Sequence, residues 1–85
     1  MPPMDANKMW EIVELVIKEN IGEHEAVKCF GHGEVIIDYI EIRDHKPFTN
    51  RKALDKATLY LMSVPTLRMF IKEVIGMLRF EATEE

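Results

Sequence analysis

At 85 residues, with 47% apolar side chains and a net charge of −4, the chain has room for one small domain spanning residues 1–85. Its single cysteine, Cys29, excludes a disulfide framework and suits a reducing compartment. Arg68, Lys72, Glu73 and Arg79 interrupt the most apolar stretch, and Met1 to Asp5 lacks the basic and apolar regions of a secretion signal, so a soluble cytoplasmic protein is expected.

Asp5 is a candidate N-cap for a helix running to about Asn20. Met9, Ile12, Val13, Val16 and Ile17 form its apolar stripe, with Gly22 as its stop. Ala26–Phe30 and Glu34–Ile42 are rich in β-branched and aromatic residues and flank Gly31-His32-Gly33, which predicts a β-hairpin. Val35, Ile36 and Ile37 are consecutive, and Asp38 and Glu41 fall on opposite faces. The second strand is therefore expected to be covered on both sides or bulged near Asp38. Arg43 to Asn50, with Pro47, is expected to be a polar connector, with Thr49 or Asn50 capping the next helix.

Ala53 to Phe80 is the longest apolar stretch, broken at Met62-Ser63-Val64-Pro65. Leu54, Ala57 and Leu61 before the break, and Leu67, Phe70, Ile71, Val74 and Leu78 after it, recur at helical spacing. Ser63 as cap and Pro65 in the first turn start the second helix; Glu81–Glu85 is expected to fray. The pattern predicts an α+β domain in the order α-β-β-α-α, its hairpin packed on helices and its C-terminal part a helical hairpin. A chain this small gains little from its own core. Self-association is expected through the hairpin edge, through the last helix by Leu67, Phe70, Ile71, Val74 and Leu78, or through both; Met69 and Phe80, off the main stripe, suggest a second apolar surface.

The charge is divided: residues 1–42 carry −6, residues 43–80 carry +5, and the acidic tail adds −3. If the partner is anionic, the cations expected to meet it are Arg43, Lys46, Arg51, Lys52, Arg68 and Lys72. His24, Cys29, His32 and His45 match no standard zinc spacing, so no metal or other cofactor is expected. Asp38 with Glu41, or Glu23 with Glu25, form no recognisable acid–base pair, and no nucleotide or nucleophile motif occurs; an enzyme is not expected.

Tyr60-Leu61-Met62-Ser63-Val64-Pro65-Thr66-Leu67 and Ile71-Lys72, preceded by a hairpin and a polar connector, resemble the A-x-L-I-A-A-A-P-E-L-L-x-A-L-K pattern of small phage and prophage accessory proteins. The resemblance implies a non-enzymatic interaction protein that binds a host protein or a small anionic ligand, in host takeover or counter-defence. A second reading also fits the stretch: a DNA-binding helix-turn-helix using Thr66, Arg68 and Lys72. Leu61 would then stand where such a turn favours glycine.

Overall fold

The computed structural model describes residues 4–85. Helix α1 (Ala6–Asn20) begins at Asp5, whose carboxylate accepts the Lys8 backbone N–H at 2.8 Å. It ends without a left-handed residue: Ile21 is extended, Gly22 has no positive φ, and the Asn20 side-chain amide donates to the Val16 carbonyl instead. Strands β1 (Glu25–Phe30) and β2 (Glu34–Arg43) form the expected hairpin, in register from Glu25 opposite Glu41 to Phe30 opposite Ile36. Gly31 has φ +135°, and a Cβ there would lie 2.1 Å from the Glu34 carbonyl oxygen, so the turn requires glycine. Pairing runs through Asp38 without a bulge.

Asp44 and His45 both adopt positive φ (51° and 64°), which turns the chain in two residues and sends Lys46–Asp55 back along β2 as a full third strand, β3. The expected connector is thus mostly strand, and neither Thr49 nor Asn50 caps a helix. Ala53 and Leu54, expected in a helix, pair with Ile36 and Val35. Burial decides this: β2 contributes Val35, Ile37 and Tyr39 to the core, and Leu54 joins them only if the two strands align in this register. Pro47 is tolerated near the start of β3, where it lies opposite Ile42 and its carbonyl accepts the Glu85 N–H.

Only five residues remain for helix α2 (Lys56–Tyr60), capped by Asp55. Helix α3 (Val64–Glu81) starts as expected, with the Ser63 hydroxyl accepting from the Thr66 N–H and proline in the first turn. The tail does not simply fray: Thr83–Glu84 pair with Thr49 and Phe48 as a short strand, β4. The sheet is antiparallel in the order β1-β2-β3-β4. The domain is therefore α+β, as expected, but with a third long strand in place of most of the first C-terminal helix.

α1 and α3 pack against each other and against one face of the sheet. The core joins Met9, Ile12, Val13, Val16 and Ile17 of α1 to Val35, Ile37, Tyr39 and Leu54 of the sheet and to the inner side of α3. Leu67, Ile71, Val74 and Leu78 belong to that inner side, each at most 2% exposed. The expected oligomer interface is corrected accordingly. These four side chains are consumed by the chain's own core, and of the five only Phe70 is partly exposed. No helix among the described residues is long and apolar enough to cross a membrane.

Candidate functional site

Strand alternation gives the sheet two different faces. Val35, Ile37 and Tyr39 point to the helices; Ile36, Asp38, Ile40 and Ile42 point away. The register then defines rows across the uncovered face. Phe30, Ile36 and Ala53 form one row; Lys28, Asp38 and Arg51 the next; Ala26, Ile40 and Thr49 the third; Ile42 and Pro47 the fourth. Phe30, Ile40 and Ile42 are exposed and apolar, and no element among the described residues covers them.

The charged row is organised. Arg51 holds Asp38 through two hydrogen bonds, one from Nε to Oδ1 and one of 2.9 Å from Nη2 to Oδ2. Its guanidinium lies over the Phe30 ring at 5.5 Å, and the Lys28 ammonium approaches the same ring at 5.8 Å. With Asp38 committed to Arg51, Lys28 has no carboxylate within ion-pair distance among the described residues, so the row has a net positive charge. A shallow depression of about 490 Å3 crosses this face between Lys28, Asp38, Arg51, Ala26, Ile40 and Thr49. Its floor is partly apolar, and its rim carries Lys28 and Arg51 together with Asp38 and, from the C-terminal tail, Glu85.

A second polar group lies on the helix side, at the far end of the sheet. The Tyr39 hydroxyl is 3.0 Å from Glu25 Oε2 and 2.8 Å from Glu41 Oε1, and its one O–H serves one carboxylate at a time. Arg79 donates to Glu25 and to the Asn20 carbonyl at the end of α1; Arg43 donates to Glu41 and to the Arg79 carbonyl near the end of α3. Both guanidiniums therefore neutralise a carboxylate and a helix C-terminus at once. Burial, then the hydrogen bonds to Glu41 and Glu25, push the Tyr39 phenol up to about 12. Burial alone would raise the Glu41 carboxyl, but hydrogen bonds from Arg43 and Tyr39 and the nearby Arg charges outweigh it and hold the group below its ordinary value. Every member has a partner, which marks the cluster as a clasp between elements.

The six cations singled out in the sequence do not converge. Arg43 is in the clasp, Lys46 lies 3.7 Å from Glu84, and Arg68 pairs with Glu19 at 2.8 Å. Lys52 is opposite Ile37 and so on the helix side; Lys72 is exposed near Arg68 at the seam of α1 and α3. Arg51 alone of the six belongs to the open face. The residues missed in the sequence were Phe30, Ile36, Ile40 and Ile42 as a surface. Their signal was the apolar character of both alternating sets in β2.

Among the described residues no group of three His, Cys, Asp or Glu side chains could hold a metal ion. Cys29 is half-buried between β1 and α1, and burial, with Glu14 and Asp38 nearby, pushes its thiol from 9.0 up to about 12. At pH 8 its thiolate fraction is then roughly a thousandfold below that of an ordinary thiol. Reaction with a disulfide reagent at pH 8 is expected to be slower by at least a hundredfold than in urea-unfolded chain. Equal rates would show an accessible, ordinary thiol.

Comparison with protein-family models, with characterised proteins and with solved structures yields no match.

Proposed function

We propose that the chain is a non-enzymatic interaction protein of the phage-accessory type, and that it acts by binding a host protein through the open face of its sheet. The observation that carries the reading is the set of exposed Phe30, Ile40 and Ile42, with half-buried Ile36, around the Lys28–Asp38–Arg51 row. An apolar sheet face with a charged centre offers area for affinity and an ion pair for register. Sheets of this kind accept an amphipathic helix, and the partner segment is inferred to be a helix with an acidic side chain amid an apolar stripe.

The small-anion alternative has weaker support, because Arg43, Lys46, Arg51 and Arg68 already hold carboxylates. The helix-turn-helix alternative is also weakened. α2 has five residues, and Leu61 takes an ordinary right-handed conformation at φ −82°. The outward side of α3 carries Met69, Met77 and Phe80, where a groove-reading helix needs polar groups.

Site-specific photocrosslinking in the host tests the proposal. A benzophenone side chain at position 40 is expected to give one dominant adduct, and the same group at position 11, on the outer side of α1, none. With that partner purified, Ile40→Glu is expected to weaken binding by at least tenfold. Adducts of equal yield from both positions, or an unchanged affinity, would sink the reading.

A further inference from the structure

The sheet leaves one face open, and the helical layer on its other side leaves another. Along α3, Met69, Glu73, Met77 and Phe80 lie on the side opposite Leu67, Ile71, Val74 and Leu78. Met69 is 65% exposed and Phe80 89%, values typical of charged surface residues. Glu73 is exposed among them and has no cation within ion-pair distance among the described residues. Gly76 lies on the same side, and nothing stands within 4 Å of where its Cβ would be, so the helix backbone is open to close approach there.

Read along the chain, this stripe runs apolar, acidic, apolar, apolar. The rows of the open sheet face, taken from Ile36, run apolar, net cationic through Lys28 and Arg51 around Asp38, then Ile40 with Thr49, then Ile42 and Pro47 with Glu85 beside them. The spacings agree. Four residues of helix rise about 6 Å, and two residues of strand rise about 6.6 Å. Met69 can therefore lie on the Phe30–Ile36 row, Glu73 on the Lys28–Asp38–Arg51 row and Met77 on Ile40, with Phe80 between the Ile40 and Ile42 rows. Glu73 would meet Lys28, which has no carboxylate within ion-pair distance among the described residues. The other pairings available to two copies match less well: sheet on sheet sets a cationic row against itself, and helix on helix sets Glu73 near its copy.

We propose that the occupant of the open sheet face, in the protein alone, is the outer side of α3 from a second copy, in a head-to-tail contact. The inference rests on the reading of that face as the binding surface, and it deepens it: the host segment must displace a helix of the same apolar–acidic–apolar pattern. The two surfaces lie on opposite sides of the molecule, so the contact is heterologous. It adds copies until a ring closes or a filament forms.

The test is molar mass in solution by light scattering and sedimentation, at rising concentrations of wild type, Ile40→Glu, Met77→Glu and their equimolar mixture. Both substitutions are at exposed positions, and an unchanged far-ultraviolet spectrum and urea midpoint confirm that each variant folds. Wild type is expected to grow in mass with concentration and each variant alone to remain monomeric. The mixture is expected to form a species of two chains and no larger, because each variant keeps one intact surface. Lys28→Glu and Glu73→Lys should each weaken association by at least tenfold, and the double variant should recover most of it. A monomeric wild type at millimolar concentration would overturn the contact while leaving crosslinking from position 40 to decide the host-binding reading. Self-association by Ile40→Glu alone, or by Met77→Glu alone, would overturn it in favour of a symmetric contact.

Discussion

Ile71→Ala is expected to remove about 2–5 kcal/mol of stability, the cost of a large-to-small change at a fully buried position. Ile71 is 0% exposed and sits where α3 meets the rest of the core. The surrounding side chains belong to rigid elements and can collapse only partly into the space. A small domain has a stability near the lower end of the usual range of about 5–15 kcal/mol, so this variant should be partly unfolded in dilute solution. Urea titration at two low protein concentrations checks the point. The loss should be the same at both, because the contact lies within one chain. Phe80→Ser, on the outer side of the same helix, should stay within about 0.5 kcal/mol under those conditions. A loss at Ile71 that vanishes on dilution would instead return the inner side of α3 to an intermolecular interface.

The clasp carries the second large effect. Arg79→Met keeps most of the aliphatic stem but removes the donors to Glu25 and to the Asn20 carbonyl. The Glu25 side chain is only 11% exposed, so its carboxylate would keep little water in exchange. Leaving it short of partners is expected to cost about 1–3 kcal/mol at pH 7. Arg68→Met is the control. It breaks the exposed pair with Glu19 and should cost less than about 1 kcal/mol.

The pH dependence follows from Glu41. Its folded-state value is depressed, so its contribution is fully present above the ordinary value of 4.5 and is lost as pH falls through the lowered value. Arg79 is one of the charges holding Glu41 down, so the Arg79 variant should lose less stability than wild type between pH 7 and pH 3. Parallel urea titrations at the two pH values measure this. Identical losses for both proteins would show that Arg79 does not act on the carboxylates of the clasp.

The parts of the fold legible in the sequence were those whose local signals agree with their burial. α1 has a cap and a five-residue apolar stripe, all of it buried. Ser63 and Pro65 locate the start of α3, and the glycine-bounded turn and dense β-branched residues locate β1 and β2. β3 was not legible because its composition opposes its structure. Pro47, Asn50, Lys52, Ala53 and Asp55 are poor strand formers, and Leu54, Ala57 and Leu61 imitate a helical repeat. Its turn, Asp44-His45, lacks the glycine that usually signals a two-residue hairpin. Tertiary context overrode propensity, since β2 exposes a long edge that only this segment can cover.

The candidate surface was half legible for a related reason. Ile36, Ile40 and Ile42 could be seen to alternate against Val35, Ile37 and Tyr39, but alternation does not say which set is covered. The number of helices available decides it. Reading Lys46–Asp55 as connector and helix supplied one layer too many, whereas in the fold α1 and α3 together cover one face only. The basic residues misled because their carboxylates come from distant parts of the chain: Glu19 for Arg68, Asp38 for Arg51 and Glu84 for Lys46. By contrast, Met69 and Phe80 stood off the apolar stripe of α3 in the sequence, and both are exposed.

Methyl resonances of isoleucine and methionine, followed as protein concentration is raised, test association through the open sheet face most directly. The expected result is movement of Ile36, Ile40 and Ile42 on the sheet together with Met69 and Met77 on α3. Ile12, Ile37, Ile71 and Ile75, buried in the core, should stay fixed. Shifts confined to the helix signals, or spectra unchanged up to millimolar concentration, would contradict association through the open sheet face.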